Sequence, residues 1–249
     1  MATDVSQQIS KIWDEDAATY DESPVHQCPQ LPHEVAAWRA TLRRLLPDPP
    51  ARVLDVGAGT GFISLILADQ GYEVTAVDLS GEMLAILKSK ADRLGLNVEV
   101  VQADVADLRP GQTFDAVVER HLMWTLPEPD AALAAWHKAA PTGRLVLIEG
   151  TWGKISGVPA VQARARGLVR RIQRPESHHH DEYPAHIART LPYAHGLLPA
   201  EAVRLVENSP WGPARLERLT NVEWASVSDR GLLAQLLGTI QRWAVTAGS

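Results

Sequence analysis

The sequence predicts an α/β fold in which a mostly parallel sheet carries helices on both faces. The first observation is that short apolar runs alternate with stretches of helical length and periodicity across residues 52–148, a pattern typical of a parallel sheet. The second is a turn with glycine at alternate positions, Gly57, Gly59 and Gly61, directly after the first apolar run. Such a turn lets a ligand approach the backbone closely and directs free amides of a helix N-terminus at it.

Strands and helices can be assigned along most of the chain. The expected strands are 53–56, 72–77, 97–102, 114–118, 144–148, 214–224 and 242–246. One expected helix begins at Ile63, and four others cover 81–94, 128–139, 199–207 and 231–237. Ser80 stands directly before 81–94 and is a good N-cap residue. Because ligands of an open parallel sheet bind beyond the carboxyl ends of its strands, the polar residues at these ends are expected to form one site.

The composition limits the class of partner. The chain has 249 residues, of which 45% are hydrophobic and 22% charged, and its net charge is −6, whereas a general nucleic-acid binder would be basic. Cys28 is the single cysteine, so no internal disulfide can form, which fits a reducing compartment. No apolar run approaches a membrane span, and the first residues lack the pattern of a secretion signal. We expect a cytoplasmic protein, a monomer or homodimer, with neither DNA nor a membrane as partner.

Three aspartates mark the ends of the first three predicted strands. Asp55 precedes the glycine turn, where a carboxylate suits a ligand with an ammonium or sulfonium charge better than a pyrophosphate. A dinucleotide-binding turn would also need glycine at position 62, where this chain has Phe62. Asp78 can accept hydrogen bonds from both hydroxyls of a ribose. Asp104 can accept from an exocyclic amine, although capping a helix is the commoner role of a lone aspartate.

Over residues 45–150 these motifs resemble the core of the class I S-adenosylmethionine-dependent methyltransferases. The match includes Asp55 with the glycine turn, Asp78, Asp104 and the run Phe114-Asp115-Ala116-Val117-Val118. The resemblance implies a Rossmann-like seven-stranded sheet and S-adenosyl-L-methionine as cofactor. The residues implied to hold or face the methionine portion are Asp55, Gly57, Ala58, Gly59, Gly61, Glu119 and Arg120. Those implied to hold the adenosine are Asp78 on the ribose, Ala103, Asp104 and Val105 around the adenine, and Leu79 and Met83 against the adenine ring. Burial in the core would explain a methionine at position 83 equally well.

The N-terminal segment resembles a preface found in many small-molecule methyltransferases. The matching residues are Trp13, Ala17, Tyr20 and Asp21, which implies that Trp13 and Tyr20 cover the cofactor. A helix that packs the same two rings on the core is an equally good interpretation. We expect a single domain divided into an N-terminal helical lid (1–46), a cofactor-binding core (47–150), an inserted acceptor lid (151–198) and the C-terminal part of the core (199–249).

The residues after the fourth strand bear on the methyl acceptor. The run from His121 to Asp130 resembles bacterial small-molecule methyltransferases of the ubiquinone/menaquinone type and of secondary metabolism. The predicted acceptor is therefore N or O of a small aromatic or heterocyclic metabolite. His121 is the candidate general base, although orienting a neighbour or packing on the cofactor is an open alternative. The residues predicted to line the acceptor pocket are Trp124, Trp152, Arg171 and Tyr183. Arg171 belongs to a basic helix predicted over 158–174, whose charged side could equally be a solvated face.

Several rival functions stay open from the sequence alone. A nicotinamide-dependent oxidoreductase is disfavoured by Phe62, whereas an RNA methyltransferase and a non-catalytic S-adenosylmethionine-binding module are not excluded. The run His178-His179-His180 could suggest a metal, but three adjacent histidines cannot all face one ion from a regular helix or strand. We therefore expect no functional metal.

Overall fold

A seven-stranded sheet forms the centre of the protein. The computed structural model describes residues 2–22, 28–29, 31–108, 111–151, 183–229 and 240–248. The strands are β1 (Arg52–Val56), β2 (Glu73–Asp78), β3 (Val98–Gln102), β4 (Ala116–Arg120), β5 (Arg144–Gly150), β6 (Ala214–Arg218) and β7 (Arg242–Gly248). Their order is β3-β2-β1-β4-β5-β7-β6. The pairs among β1 to β5 are parallel, and β7 runs antiparallel to both β5 and β6. This confirms the predicted α/β, Rossmann-like and mostly parallel sheet.

Helices connect and cover these strands. The described helices are α1 (Ala2–Tyr20), α2 (Pro32–Leu45), α3 (Phe62–Asp69), α4 (Gly81–Leu94), α5 (Pro129–Ala139), α6 (Ala185–Ala188), α7 (Pro199–Glu207) and α8 (Thr220–Ser228), with a short 3₁₀ turn at Met123–Thr125. Ser80 caps α4 as predicted, because its hydroxyl accepts a hydrogen bond from the Met83 amide at 3.1 Å. In the part of the chain that the structure describes, no helix combines the length and the apolar character needed to cross a membrane.

Alternate residues of the strands supply two hydrophobic layers, one on each face of the sheet. Val53 and Val118 pack with α2, α3 and α4 on one face, whereas Leu54 and Val117 pack with α5 and α7 on the other. These valines and leucines are at most 2% exposed, as expected for central parallel strands buried on both faces. Strands β1 and β4 are therefore packed on both faces next to the carboxyl ends where the polar residues lie.

The strand predicted over 214–224 is wrong in its second half. The strand ends at Arg218, and the chain then enters α8. Valine, threonine and tryptophan in this stretch favour a strand locally, but tertiary contacts decide otherwise. Val222 is 2% exposed and packs in the same core layer as α2, and the Asn221 amide donates to Thr41 Oγ1 at 2.8 Å.

The fourth strand is shifted relative to its prediction. The sequence predicts it over 114–118, but it covers Ala116–Arg120, because Glu119 pairs with both Val56 of β1 and Leu147 of β5, and Arg120 pairs with Ile148. The shift keeps Glu119 and Arg120 within the sheet and makes His121 the first residue after it. The helices predicted over 158–174 and 231–237, and the three histidines at 178–180, lie outside the described residues.

Candidate functional site

The glycine turn between β1 and α3 holds three left-handed glycines for different reasons. Their φ angles are +68° at Gly57, +53° at Gly59 and +94° at Gly61. A Cβ on Gly57 would lie 2.7 Å from Leu122 Cδ1, and one on Gly61 would lie 2.7 Å from Leu87 Cγ. A Cβ on Gly59 would meet only Tyr20, at 3.9 Å. A side chain at Gly61 would overlap Leu87 of the core and one at Gly57 would require Leu122 to move, while the middle glycine faces open space.

Asp78 ties the glycine turn to the end of β2. Its Oδ2 accepts from the Gly59 amide at 2.8 Å, and its Oδ1 accepts from the Ser80 amide at 2.9 Å. Burial raises the pKa of this carboxyl, while backbone hydrogen bonds from Ser80 and Gly59 oppose the rise. Each carboxylate oxygen has a second lone pair available. Asp78 can therefore organise the turn and still accept a hydrogen bond from a ligand hydroxyl.

Asp104 lies beyond the end of β3 and links two parts of the chain. Its Oδ1 accepts from the Ala106 amide at 2.9 Å within a turn, and since residues 103–108 do not form a helix, Asp104 is not the helix cap considered for a lone aspartate. Its Oδ2 accepts from the Ser6 hydroxyl of α1, also at 2.9 Å. The same carboxylate thus closes a local turn and fastens the N-terminal helix.

Helix α1 lies along the carboxyl ends of β1 to β3. The Ser10 hydroxyl donates to the Leu79 carbonyl at 3.1 Å. Asp14 Oδ1 accepts from Ser80 Oγ at 2.5 Å. Just after the helix, Asp21 accepts from the Thr60 hydroxyl in the glycine turn at 2.7 Å. Together with the Ser6 contact, these hydrogen bonds hold α1 over the polar edge of the sheet at three places and the residue after it at a fourth.

A cavity lies between α1 and this edge. Its empty space, including the open mouth, is about 710 Å³. The sequence-predicted residues that line it are Trp13, Tyr20, Gly57, Gly59, Asp78, Leu79, Met83, Asp104, Val105, Arg120 and His121. Sequence reasoning did not single out its other lining residues, which are Ser6, Ile9, Leu122, Thr125, Leu126 and Pro127.

Other predicted site residues are placed differently. Those described but not lining this cavity are Asp55, Ala58, Gly61, Ala103, Glu119, Trp124 and Tyr183. Ala58 and Gly61 belong to the glycine turn itself, and Ala103 packs against the core layer that contains Val105. Trp152 and Arg171 lie outside the described residues.

Asp55 lies behind the glycine turn and is 1% exposed. Its Oδ2 accepts from the Ser64 hydroxyl of α3 at 2.5 Å. Burial raises the pKa of Asp55 to about 7, against the opposing effects of the Ser64 hydrogen bond and the Arg120 charge. Asp55 therefore titrates in the neutral range, and a cation entering the cavity would favour its ionised form.

Arg120 and Glu119 are the last two residues of β4, and both are ionisable. The Arg120 guanidinium carbon lies 3.6 Å above the centroid of the Phe62 ring, a cation–π contact, and burial lowers the pKa of Arg120. Glu119 is fully buried, and its Oε2 accepts from the Leu122 amide at 2.9 Å. Burial, followed by the nearby Glu149 carboxylate, raises the pKa of Glu119 well above its usual range. Arg120 thus places a cation at the cavity wall, near two buried carboxyl groups.

His121 stands at the wall of the cavity in a left-handed backbone conformation, with φ of 61°. Its Nδ1 lies 3.3 Å from Glu149 Oε2. Sequence reasoning missed Glu149, although one signal was present: it is a carboxylate directly after the apolar run 144–148, at the carboxyl end of a central strand. The other oxygen, Glu149 Oε1, accepts from the Met123 amide at 3.2 Å.

The aromatic residues predicted for the acceptor pocket form a cluster behind Trp13. The Trp124 and Tyr183 rings lie 5.2 Å apart between centroids, and Trp13 meets Trp124 at 6.0 Å and Tyr183 at 6.4 Å. The hydroxyls of Thr125 and Tyr183 are hydrogen bonded. Trp124 and Tyr183 therefore support the wall that Trp13 presents to the cavity.

The chemistry of these groups fits S-adenosylmethionine. A nucleoside fits the carboxylates of Asp78 and Asp104 beside apolar Leu79, Met83 and Val105, and the open space at Gly59 admits a ligand against the backbone. A sulfonium fits a cavity with carboxylates and aromatic rings near it. When bound, this cofactor supplies a methyl group on a positively charged sulfur. In the described part of the chain, no three histidine, cysteine or acidic residues are arranged to hold a metal ion.

Comparisons with known proteins agree with this fit. Residues 53–143 match the family described as a methyltransferase domain. The ubiquinone biosynthesis O-methyltransferase of Xanthomonas oryzae pv. oryzae is 31% identical over 180 residues, which cover 70% of this chain and 74% of that protein. The demethylmenaquinone methyltransferase of Thermus thermophilus is 32% identical over 166 residues, 65% of this chain and 66% of that one.

A solved structure extends the likeness to the fold of nearly the whole chain. Magnesium protoporphyrin IX methyltransferase of Synechocystis PCC 6803, with bound SAH, superposes with a TM-score of 0.60 at 17% identity, covering 98% of this chain and 100% of that one. The chain therefore belongs to the class I S-adenosylmethionine-dependent methyltransferases of the bacterial small-molecule type, as an enzyme with S-adenosylmethionine as its cofactor.

Proposed function

We propose that this methyltransferase acts on N or O of a small aromatic or heterocyclic metabolite, in secondary metabolism. The observation that carries the proposal is the wall of the cavity near His121. Leu122, Leu126 and Pro127 follow His121 along this wall, and Ile9 and Trp13 of α1 also line the cavity. A flat apolar acceptor fits such a wall, and the imidazole is the titratable group that can receive its proton.

Oxygen is the first candidate for the acceptor atom. Several similar proteins carry the name ubiquinone biosynthesis O-methyltransferase, and a phosphatidylethanolamine N-methyltransferase of Cereibacter sphaeroides is 36% identical over 117 residues. A base is most useful for a hydroxyl, because a neutral amine can attack before it loses a proton. The held imidazole therefore favours oxygen.

We also propose roles for the remaining site residues. Asp78 and Asp104 bind the adenosine, supported by their position on the cavity wall. Asp55 and Arg120 act on the methionine portion through its ammonium and carboxylate charges, which is supported by their mutual electrostatic effect. Residues 1–46 act as a lid, supported by the four hydrogen-bonded contacts of α1 and the stretch after it.

The experiment is a methyl-transfer assay with paired acceptors. The purified chain is incubated with S-adenosylmethionine and either member of two pairs, catechol with ortho-phenylenediamine and naphthol with naphthylamine. The readouts are S-adenosylhomocysteine and the singly methylated product by mass spectrometry. We expect product from at least one hydroxyl compound and less from its amino partner.

Two results would contradict the proposal. Methylation of bulk RNA in a salt-sensitive manner, with none of the small aromatics, would favour RNA as acceptor. Calorimetric binding of S-adenosylmethionine without turnover of any acceptor would instead favour a non-catalytic binding role.

A further inference from the structure

Ser6 of the N-terminal helix shares one wall of the cavity with Asp104. Its hydroxyl donates to Asp104 Oδ2 at 2.9 Å, across 98 residues of chain, and the Ser6 side chain is half-buried. Both residues line the cavity together with three apolar residues, Leu79, Met83 and Val105. The contact therefore does more than fasten α1 to the sheet, because it brings a polar atom of the helix into the part of the cavity that suits a nucleoside.

The ends of β2 and β3 set where the base of a nucleoside can lie. Asp78 is paired with Gln102 in the sheet, and the Ala103 amide donates to the Asp78 carbonyl at 3.0 Å. The two strands thus stay joined up to the residue before Asp104, about 4.8 Å apart as neighbouring strands are. A nucleoside whose ribose binds Asp78 can therefore place its base beside Asp104, within reach of Ser6.

The hydrogen-bonding capacity left on the Ser6 and Asp104 side chains is of one kind. Asp104 Oδ1 accepts from the Ala106 amide at 2.9 Å, and Oδ2 accepts from Ser6, so each carboxylate oxygen keeps one lone pair. The Ser6 hydroxyl uses its single proton in this bond, so its oxygen keeps two lone pairs. The two side chains therefore present acceptors, and no donor, to a ligand in the cavity.

We propose that Ser6 is a specificity-determining residue that binds the exocyclic amine of the cofactor's adenine together with Asp104. This rests on the proposed placement of the adenosine at Asp78 and Asp104. The exocyclic amine carries two N–H donors, so one can bind the carboxylate while the other binds the Ser6 oxygen. A base without the amine leaves both acceptors without a donor, and sites built to bind an N–H reject such analogues. The N-terminal helix is thereby part of the cofactor site and not only its cover.

Ser10 provides a matched control because it lies one turn further along the same helix. Its hydroxyl donates to the Leu79 carbonyl at 3.1 Å, so it also fastens α1 to the sheet, and it is likewise half-buried. The described residues that line the cavity include Ser6 but not Ser10. Alanine favours a helix more than serine does, so we expect both Ser6→Ala and Ser10→Ala to fold.

The experiment is calorimetric titration of the full chain with two probes. One is S-adenosylhomocysteine, and the other is its analogue with hydrogen in place of the exocyclic amine. The ratio of the two dissociation constants measures the preference for the amine. Removing the amine from the ligand and the hydroxyl from the protein, singly and together, isolates the interaction between them.

The preference should fall by about 3–10-fold in Ser6→Ala, which is the contribution of one neutral hydrogen bond. In Ser10→Ala it should stay within about twofold of the unchanged protein, because weaker anchoring of the helix acts on both probes alike.

Three results would overturn the proposal. An unchanged preference in Ser6→Ala would mean that Ser6 only anchors the helix. Tighter binding of S-adenosylhomocysteine to Ser6→Ala would mean that the adenine displaces Ser6 from Asp104 instead of joining it. An equal fall of the preference in both serine variants would mean that the amine responds to the position of the helix and not to the Ser6 oxygen.

A third variant, Asp104→Asn, separates failure of this inference from failure of the proposed adenosine placement. Its amide nitrogen replaces one acceptor by a donor, so the preference for the amine should fall by about threefold or more. An unchanged preference in Asp104→Asn would refute the placement of the adenine and the role of Ser6 with it. A fall in Asp104→Asn without one in Ser6→Ala would refute only the role of Ser6.

Discussion

Alanine substitutions at two glycines of the same turn should affect cofactor affinity and stability separately. Gly59→Ala places a methyl group towards Tyr20, which lines the same cavity, with no atom closer than 3.9 Å. The left-handed conformation costs alanine about 1–2 kcal/mol, partly offset by the reduced freedom of the unfolded chain, so the free energy of unfolding should fall by about 1 kcal/mol. The added methyl group occupies space that the cofactor needs. Affinity for S-adenosylmethionine should fall at least tenfold, or about 1.4 kcal/mol.

Gly61→Ala is the matched control with the opposite result. Its Cβ would lie 2.7 Å from Leu87 Cγ and 3.3 Å from Leu65 Cγ, both in the core, at a φ of +94°. Overpacking and backbone strain each cost about 1–3 kcal/mol, so we expect a loss near the middle of their sum, about 4 kcal/mol. At about 2–4 °C per kcal/mol for a chain of this size, its Tm should fall by roughly 8–16 °C. Fractional occupancy by cofactor in the molecules that remain folded should change much less.

Thermal unfolding and calorimetric titration with S-adenosylmethionine measure both quantities on both variants. The expected pattern is a stable Gly59→Ala with weakened binding and an unstable Gly61→Ala with binding largely kept at low temperature. Unchanged affinity in Gly59→Ala would mean that the cofactor does not approach this part of the turn. A Gly61→Ala protein as stable as the unchanged one would show that the contact with Leu87 is not as close as the structure has it.

Two further predictions concern buried carboxylates. Asp78→Asn should lower the free energy of unfolding, measured by chemical denaturation, by about 1–3 kcal/mol, because either orientation of the new amide sets a donor against the Gly59 or the Ser80 amide. Cofactor affinity should also fall. A variant in which stability and affinity are both unchanged would refute the role of Asp78. The pKa of Asp55 is about 7 in the folded protein and 3.8 in the unfolded chain. Its contribution to the free energy of unfolding is therefore complete below pH 3.8 and is lost as pH rises through about 7, a loss of up to about 4 kcal/mol. Asp55→Asn should remove that part of the pH dependence of unfolding, and identical pH profiles for the two proteins would contradict the burial of its charge.

The part of the fold and site that could be predicted follows from short-range pattern. The glycine turn, the Asp78 that ends β2 and the Ser80 cap each depend on neighbours a few residues away, and all occur as expected. The helix α8 could not be predicted, because its residues favour a strand locally and only packing on α2 makes them helical. Local propensity fails where burial decides.

The contacts between distant residues were equally hidden. Ser6 and Asp104 are 98 residues apart, and Glu149 is 28 residues from His121. No local pattern pairs them, since the pairing depends on how α1 crosses the sheet and on the register of β4 with β5. The individual residues of the site are largely readable from the sequence, whereas their partners require the structure.

The position of β7 has a consequence for how the sheet is assembled. β7 lies between β5 and β6 and is antiparallel to both, although it follows them in the chain. β6 has β7 as its neighbour in the sheet order, so it cannot join the sheet until residues 242–248 are available. During synthesis, β5 would therefore present an unpaired apolar edge until β7 arrives, a state prone to edge-to-edge association. Protein released before residue 242 is made should aggregate even though the whole glycine turn is present.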